Sequence, residues 1–214
     1  LMWLEGSGVE EVSGLRGKTI GYPGVPFQRH FLELALARAG MTGDDVRIEN
    51  LGYDLVPALL DGKVDAILGS ENLEGVALEA RGTKPIVTPL QDLGIPDYEE
   101  LVVIARASCV RKYPRLIRAF VSAVRRGYEA VARDPVRAGR LISWSVEADP
   151  EATREQAEAE VRATLPLLSR TGQMDPYRAN DLIDWMHAEG VIRKRPRLPE
   201  LLAVADGGAP PVPE

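Results

Sequence analysis

Short apolar segments alternate with amphipathic segments in the first half of the chain. Strand-like apolar runs occur at 1–4, 18–22, 46–51, 64–69 and 85–89, and helical spacing of apolar residues occurs at 27–39, 55–60 and 71–81. Gly40, Gly62 and Gly82 follow the three helical segments, which is typical of helix ends, and Asp54 precedes the second segment as a candidate cap. Strands that alternate with helices predict an α/β fold with a mainly parallel sheet.

The pattern changes in the second half of the chain. The apolar run Leu101–Ala105 predicts one more strand, covered on both faces. Only helical periodicity follows, at 113–133, 135–144, 150–169 and 176–190. We predict four segments: a hinge entry and linker at 1–16, an α/β ligand-binding lobe with a return hinge strand at 17–106, a helical segment at 107–192, and a tail at 193–214. The apolar faces of the helical segment need a partner outside it.

Composition excludes several classes of site. The 214 residues include 26 Lys and Arg against 32 Asp and Glu, a net charge of -6, and such acidity disfavours a nucleic-acid partner. Cys109 is the only cysteine, so an internal disulfide and a cysteine-built metal site are excluded. The two histidines form no metal-binding pair. We expect no cofactor and no metal. The apolar start Leu1–Leu4 is interpreted as an internal cut or as the start of a processed product.

The first candidate site follows the predicted strand 18–22. Ligands of open α/β sheets bind at the carboxyl ends of strands, and Tyr22, Gly24, Val25 and Pro26 stand at this end. Tyr22 could stack on a ring, and Gly24 allows close approach of the backbone to a ligand. The alternative is a plain strand-to-helix loop with Tyr22 half buried.

The second candidate site follows the predicted strand 64–69. Ser70, Glu71, Asn72 and Glu74 place four polar side chains directly after an apolar run. Asn72 could donate and accept hydrogen bonds, and the two carboxylates could accept hydrogen bonds from an amine or an amino-heterocycle. The alternative is the ordinary chemistry of a helix start, with Ser70 as the cap and the acids in the first turn.

Several motifs together resemble a known family. Residues 15–21 (LRGKTIG), 52–60 (GYDLVPALL), 62–66 (GKVDA), 95–102 (IPDYEELV) and 113–120 (YPRLIRAF) follow the order and spacing of type II periplasmic substrate-binding proteins. The resemblance is to the NMT1/THI5-like branch of ABC-transporter solute receptors, with its pyrimidine-precursor receptors, and covers about residues 1–190. It implies two α/β lobes joined by hinge strands. In this chain it implies one mainly parallel lobe plus C-terminal helices that would complete the other, whose N-terminal sheet is absent.

One departure from the family concerns the ligand. The pyrimidine-precursor receptors have a segment that resembles the pattern GYWNxE, and this chain has Gly69-Ser70-Glu71-Asn72-Leu73-Glu74 at the same place. Asn72 and Glu74 match the pattern, whereas Ser70 and Glu71 replace two aromatic residues. The receptor architecture is therefore expected, and the pyrimidine ligand is left open.

The resemblance implies the substrate-binding component of an ABC importer that closes a cleft on a small organic solute. A thiamine-pyrimidine precursor or a related nitrogen heterocycle is the candidate ligand, a membrane permease is the expected partner, and the expected location is periplasmic or extracellular and membrane-anchored. We predict no enzymatic activity, because related enzymes that make the thiamine pyrimidine use histidine and cysteine-rich motifs. The alternative functions are the sensory ligand-binding domain of a regulator and, less favoured, an enzyme of thiamine-pyrimidine biosynthesis. If the N-terminal lobe is truly absent, the exposed helices could pair two copies.

Overall fold

A five-stranded sheet organises the first half of the chain. Its strands are β1 (Met2–Leu4), β2 (Thr19–Tyr22), β3 (Arg47–Asn50), β4 (Ala66–Ile67) and β5 (Pro85–Val87), in the order β3-β2-β4-β1-β5. β2 pairs in parallel with β3 and β4, whereas β1 runs antiparallel to both β4 and β5. The computed structural model describes residues 1–145, 153–169 and 172–202, and these strands lie within the first range.

Apolar residues on alternate strand positions build one core on each face of this sheet. On one face, Trp3 and Ile20 pack with Leu32 and Leu36 of helix α1 (Pro26–Arg38). On the other face, neighbouring positions pack against two shorter helices, α2 (Leu55–Leu60) and α3 (Val76–Ala80). The result is a helix–sheet–helix arrangement, so the predicted α/β class is confirmed.

The second half of the chain is helical. Its helices are α4 (Ala107–Lys112), α5 (Pro114–Arg133), α6 (Pro135–Ser145), α7 (Arg154–Thr164), α8 (Pro176–Ala188) and α9 (Leu198–Leu201). Short 3-10 helices lie at Val12–Leu15, Gly43–Asp45, Leu90–Leu93 and Leu165–Leu167, and a single π-helical turn lies at Glu71–Gly75. Asp175 caps α8, because its carboxylate accepts hydrogen bonds from the backbone N–H groups of Tyr177 and Arg178.

The chain divides into two compact units. Unit 1 comprises Leu1–Ile95 and Val136–Thr164, and unit 2 comprises Pro96–Pro135 and Leu165–Glu214. Helices α6, from Val136 onward, and α7 therefore belong with the sheet. The segment boundaries drawn from the sequence, at residues 16, 106 and 192, remain predictions.

Three local expectations differ from the structure. The predicted strand Leu101–Ala105 is not formed: Leu101 is 92% exposed and Ile104 is 87% exposed, and no strand in the described part of the chain pairs with them. A β-strand without a neighbour leaves its backbone groups unpaired, so the apolar run stays irregular. Asp54 and Ser70 precede helices but make no side-chain capping bond.

Two expectations fall outside the described residues. They are the first residues of the helix predicted at 150–169 and the end of the tail beyond residue 202. Among the described helices, none is both long enough and apolar enough to cross a membrane.

Candidate functional site

The carboxyl ends of β2, β3 and β4 lie at one edge of the sheet, because the three strands are parallel neighbours. The N–H of Leu68 donates to the Gly21 carbonyl at 2.8 Å, and the N–H of Leu51 donates to the Tyr22 carbonyl at 3.0 Å. We call residues 23–26 the first loop and residues 69–75 the second loop. Neighbouring strands are about 4.8 Å apart, so both loops begin within reach of one small ligand.

The first loop depends on a glycine. Gly24 has φ of +84°, a conformation that other residues rarely adopt. A Cβ at this position would lie 2.5 Å from the Asn50 Oδ1 atom and 2.7 Å from Nδ2, so the Asn50 amide packs directly on the Gly24 backbone. Val25 and Pro26 are exposed, and Pro26 begins α1. Asn50 was missed in the sequence, although a polar residue that ends a parallel strand was the available signal.

Tyr22 directs its ring away from solvent. The side chain is 8% exposed and packs in the same core as Ile20 and Leu36. Its hydroxyl forms a hydrogen bond with the exposed Arg29 guanidinium. The pKa of Arg29 is raised above its usual value, mainly by the hydrogen bond to Glu33 and to a smaller extent by the hydrogen bond to Tyr22. Tyr22 is therefore placed as a core residue at the edge, and its contact with a ligand remains a prediction.

Glu74 folds back over the start of the second loop. Its Oε2 atom accepts a hydrogen bond from the Ser70 backbone N–H at 2.6 Å. A Cβ on Gly69 would lie 3.0 Å from the same oxygen, so a larger residue there would crowd the carboxylate. The π-helical turn that follows is a feature often found at functional sites. One carboxylate oxygen of Glu74 thus shapes the loop, and the other is left to accept further hydrogen bonds.

Asn72 is held by a residue far along the chain. Its Nδ2 atom donates to the Thr164 Oγ1 atom at 2.9 Å, and Thr164 Oγ1 lies 2.7 Å from the Glu160 carbonyl oxygen. Asn72 is partly exposed, whereas its neighbour Glu71 is exposed. The sequence carried no signal for Thr164, which is separated from Asn72 by 92 positions.

The two loops combine to form an acceptor-rich edge. The two loops contain seven of the eight predicted residues, whose contact with a ligand remains a prediction, and the eighth, Tyr22, ends β2 with its ring in the core. Glu71 and Glu74 bring negative charge, and neither loop contains Lys or Arg. Such an edge suits amino and amide donors. Within residues 1–145, 153–169 and 172–202, no three metal-binding side chains are gathered.

A protein-family model described as "NMT1/THI5 like" matches residues 1–138, well over half of the chain. The chain belongs to the NMT1/THI5-like family. The family resemblance inferred from the sequence motifs is thereby confirmed.

The relatives of this NMT1/THI5-like chain include a binding protein and enzymes. It is 27% identical over 194 residues to the "Formylaminopyrimidine-binding protein" of Halalkalibacterium halodurans, which covers 88% of this chain and 59% of that protein. It is 30% identical over 146 residues to the "4-amino-5-hydroxymethyl-2-methylpyrimidine phosphate synthase" of Uromyces fabae, covering 63% of this chain and 42% of the synthase. The chain spans less than two thirds of the length of either relative.

Solved structures confirm the type II periplasmic-binding-protein fold. The NMT1/THI5-like chain superimposes on the periplasmic aliphatic sulphonate binding protein SsuA of Escherichia coli with a TM-score of 0.67 and 15% sequence identity. The match covers 95% of this chain and 64% of SsuA. At this identity the likeness concerns the fold alone.

The prediction that the chain has no enzymatic activity is wrong, because enzymes are among its relatives. Relatives named as pyrimidine phosphate synthases are 27–30% identical to it, in the same range as the binding protein. The expectation depended on the lack of a cysteine cluster around Cys109. A cysteine count alone therefore does not separate the receptors of this family from its enzymes.

Proposed function

We propose that this chain is the solute-binding part of a receptor for a small organic nitrogen heterocycle, with the ligand held at the edge formed by the first and second loops. The proposal includes a role in an ABC importer, a membrane permease as partner, and a periplasmic or extracellular location. It is supported by family membership and by the relative named for formylaminopyrimidine binding. In the type II fold a second lobe closes on the ligand, and we assign the described edge to one of the two lobes.

The observation that carries this proposal is the juxtaposition of Gly24 with the Asn72 and Glu74 side chains on adjacent strand ends. Because Gly24 has no side chain, the Asn50 amide packs directly against its backbone and lies at this edge. Across the edge, Asn72 and Glu74 offer oxygen acceptors at fixed positions. A heterocycle that carries an amino group matches these amide and carboxylate acceptors.

The charge of the two loops favours one of the two ligand classes named for the similar proteins. A sulphonate carries a full negative charge and would face the carboxylates of Glu71 and Glu74 without a Lys or Arg in either loop to balance them. A binding surface strongly disfavours a ligand that carries charge of the same sign, because the two repel each other. We therefore favour the aminopyrimidine over the aliphatic sulphonate.

Isothermal titration calorimetry with the full chain tests this preference. We expect heat of binding with a formylaminopyrimidine and none with an aliphatic sulphonate. Asn72→Ala should lower the affinity for the pyrimidine about tenfold, the effect of one lost hydrogen bond. Glu79→Gln, an exposed change in α3 away from the loops, should leave binding unchanged. Binding of the sulphonate instead, or of neither compound, would contradict the proposed function.

A second candidate function is synthesis of the pyrimidine phosphate, favoured by the relatives that carry that name. The two functions differ in the fate of the bound compound. A receptor releases its ligand unchanged, whereas a synthase releases a new phosphorylated pyrimidine. Mass spectrometry of cells that express the chain and lack their own synthase distinguishes them: accumulation of the pyrimidine phosphate would favour the synthase.

A further inference from the structure

Thr164 is the last residue of α7 and of unit 1, yet it touches the second loop. Its hydroxyl lies 2.9 Å from the Asn72 Nδ2 atom and 2.7 Å from the carbonyl oxygen of Glu160. These two contacts assign the proton of the hydroxyl. A carbonyl oxygen can only accept, so the Thr164 O–H must donate to Glu160.

The hydrogen bond from the Thr164 O–H to the Glu160 carbonyl fixes the orientation of the Asn72 amide. Because the Thr164 oxygen has given its only hydrogen to Glu160, it can only accept from Asn72. The amide must therefore turn its NH2 group to Thr164, and a rotation of 180° would bring two acceptor oxygens together. The Asn72 Oδ1 atom accepts no hydrogen bond from any residue that the structure describes, so it is left for a ligand donor.

Helix α7 is anchored well enough to hold this geometry. Gln156 is 5% exposed, and both ends of its amide are bonded: its Oε1 atom accepts from Arg81 at 3.2 Å, and its Nε2 atom donates to Glu160 at 2.8 Å. Arg81 also donates to the Ala77 carbonyl of α3 at 3.1 Å. Through the buried Gln156 amide these hydrogen bonds link α7 to the end of α3 and help to fix how the two helices pack.

We propose that Thr164 is a positioning residue, which orients the Asn72 amide so that its oxygen accepts from the ligand. The role rests on the proposed function of the edge as a ligand site. It predicts that the site prefers a 4-aminopyrimidine, whose amino group donates, over the corresponding 4-oxo compound, whose oxygen accepts. Thr164 itself need not touch the ligand.

The ligand-free part of the test measures the Asn72 amide directly. In a ¹⁵N-labelled full chain, the side-chain order parameter of Asn72 should be high, close to the value of about 0.85 of rigid backbone. Thr164→Val removes the hydroxyl and keeps the shape, so the order parameter should fall, whereas Thr164→Ser should retain it. Thr83→Val is the matched control, because the Thr83 hydroxyl also donates to a backbone carbonyl, that of Leu78 at 2.7 Å, without touching Asn72.

The ligand part measures selectivity by calorimetry. Thr164→Val should reduce the preference for the 4-amino over the 4-oxo compound by about three- to tenfold, the effect of one hydrogen bond. Thr164→Ser and Thr83→Val should keep the wild-type preference, although Thr83→Val loses a comparable bond elsewhere. Loss of stability alone would not change this ratio.

Two results would overturn the role of Thr164: an Asn72 order parameter that Thr164→Val leaves unchanged, or a preference that Thr164→Val leaves intact. If the wild-type chain binds neither pyrimidine, the proposed function fails by itself. The order parameter then still decides whether Thr164 orients Asn72.

Discussion

At the scale of single residues, the strand ends are organised by carboxylates that bind backbone groups. Asp65 is the clearest case, because it precedes β4 and joins it to β2. Its Oδ2 atom accepts from the Thr19 N–H at 2.8 Å, and its Oδ1 atom lies 3.2 Å from Lys18 Nζ. Burial acts to raise the pKa of Asp65, but the Thr19 and Lys18 hydrogen bonds outweigh it and lower the pKa below its usual 3.8.

Asp65→Ala should destabilise the chain by about 1 kcal/mol at neutral pH, the value of a hydrogen bond to a partly exposed charged group. Because the folded pKa is depressed, the contribution of Asp65 is fully present above 3.8 and is lost as the pH falls through the lower folded pKa. Urea unfolding of the wild type and of Asp65→Ala at a series of pH values measures the difference in their unfolding free energies.

The matched control is Asp61→Ala, which breaks an exposed pair with Lys63 and should change stability by less than about 0.5 kcal/mol. Equal losses for the two variants would show that the bond to Thr19 contributes nothing. A loss for Asp65→Ala that persists unchanged into strong acid would refute the assigned pKa direction.

Sequence analysis identified the residue types at the edge but not their contacts. Polar residues after apolar strands indicated Asn72 and Glu74 as candidates. Their partners depend on packing: Glu74 bonds within its own loop, and Asn72 is held by Thr164 from a distant helix. For Tyr22, the sequence allowed either a ligand contact or a plain loop with the ring half buried, and the structure places the ring in the core.

At the scale of elements, periodicity located most helices and strands because local patterns dictate them. The failure at Leu101–Ala105 has a different cause. A strand exists only beside another strand, and the apolar run has none within the described residues. The pairing of α6 with α7 was also invisible in the sequence, because it depends on one close approach at a glycine.

Gly139 permits that close approach. A Cβ at this position would lie 2.8 Å from the Glu158 Cγ atom and 2.9 Å from the Glu158 Cα and N atoms, which are backbone and cannot move alone. Gly139→Ala should force α6 and α7 apart and destabilise the chain by about 1–3 kcal/mol. The midpoint of thermal or urea unfolding reports the loss.

Gly127→Ala provides the contrast within α5. No atom lies within 4 Å of a Cβ built there, so alanine should stabilise the helix by about 0.5–1 kcal/mol through its better helix propensity. If Gly139→Ala were as stable as Gly127→Ala, the close packing of α6 on α7 would be refuted.

At the scale of the whole molecule, the order of strands and helices predicted an α/β lobe with its polar loops at one edge. The grouping of α6 and α7 with the sheet was not predicted, because the contacts of Thr164 and Gln156 link residues 75 or more positions apart. Similarly, family membership did not decide between receptor and enzyme. The grouping of these helices depends on long-range contacts that no local pattern records.

The function proposed for this chain requires that the edge formed by the first and second loops binds an amino-heterocycle. Titration of the ¹⁵N-labelled full chain with a formylaminopyrimidine, followed by backbone amide shifts, tests it most directly and detects even weak binding. We predict that the largest shifts occur at Gly24, Ser70, Asn72 and Glu74, with the exposed helix α5 unaffected. Shifts centred on α5, or no shifts at any residue, would contradict the account.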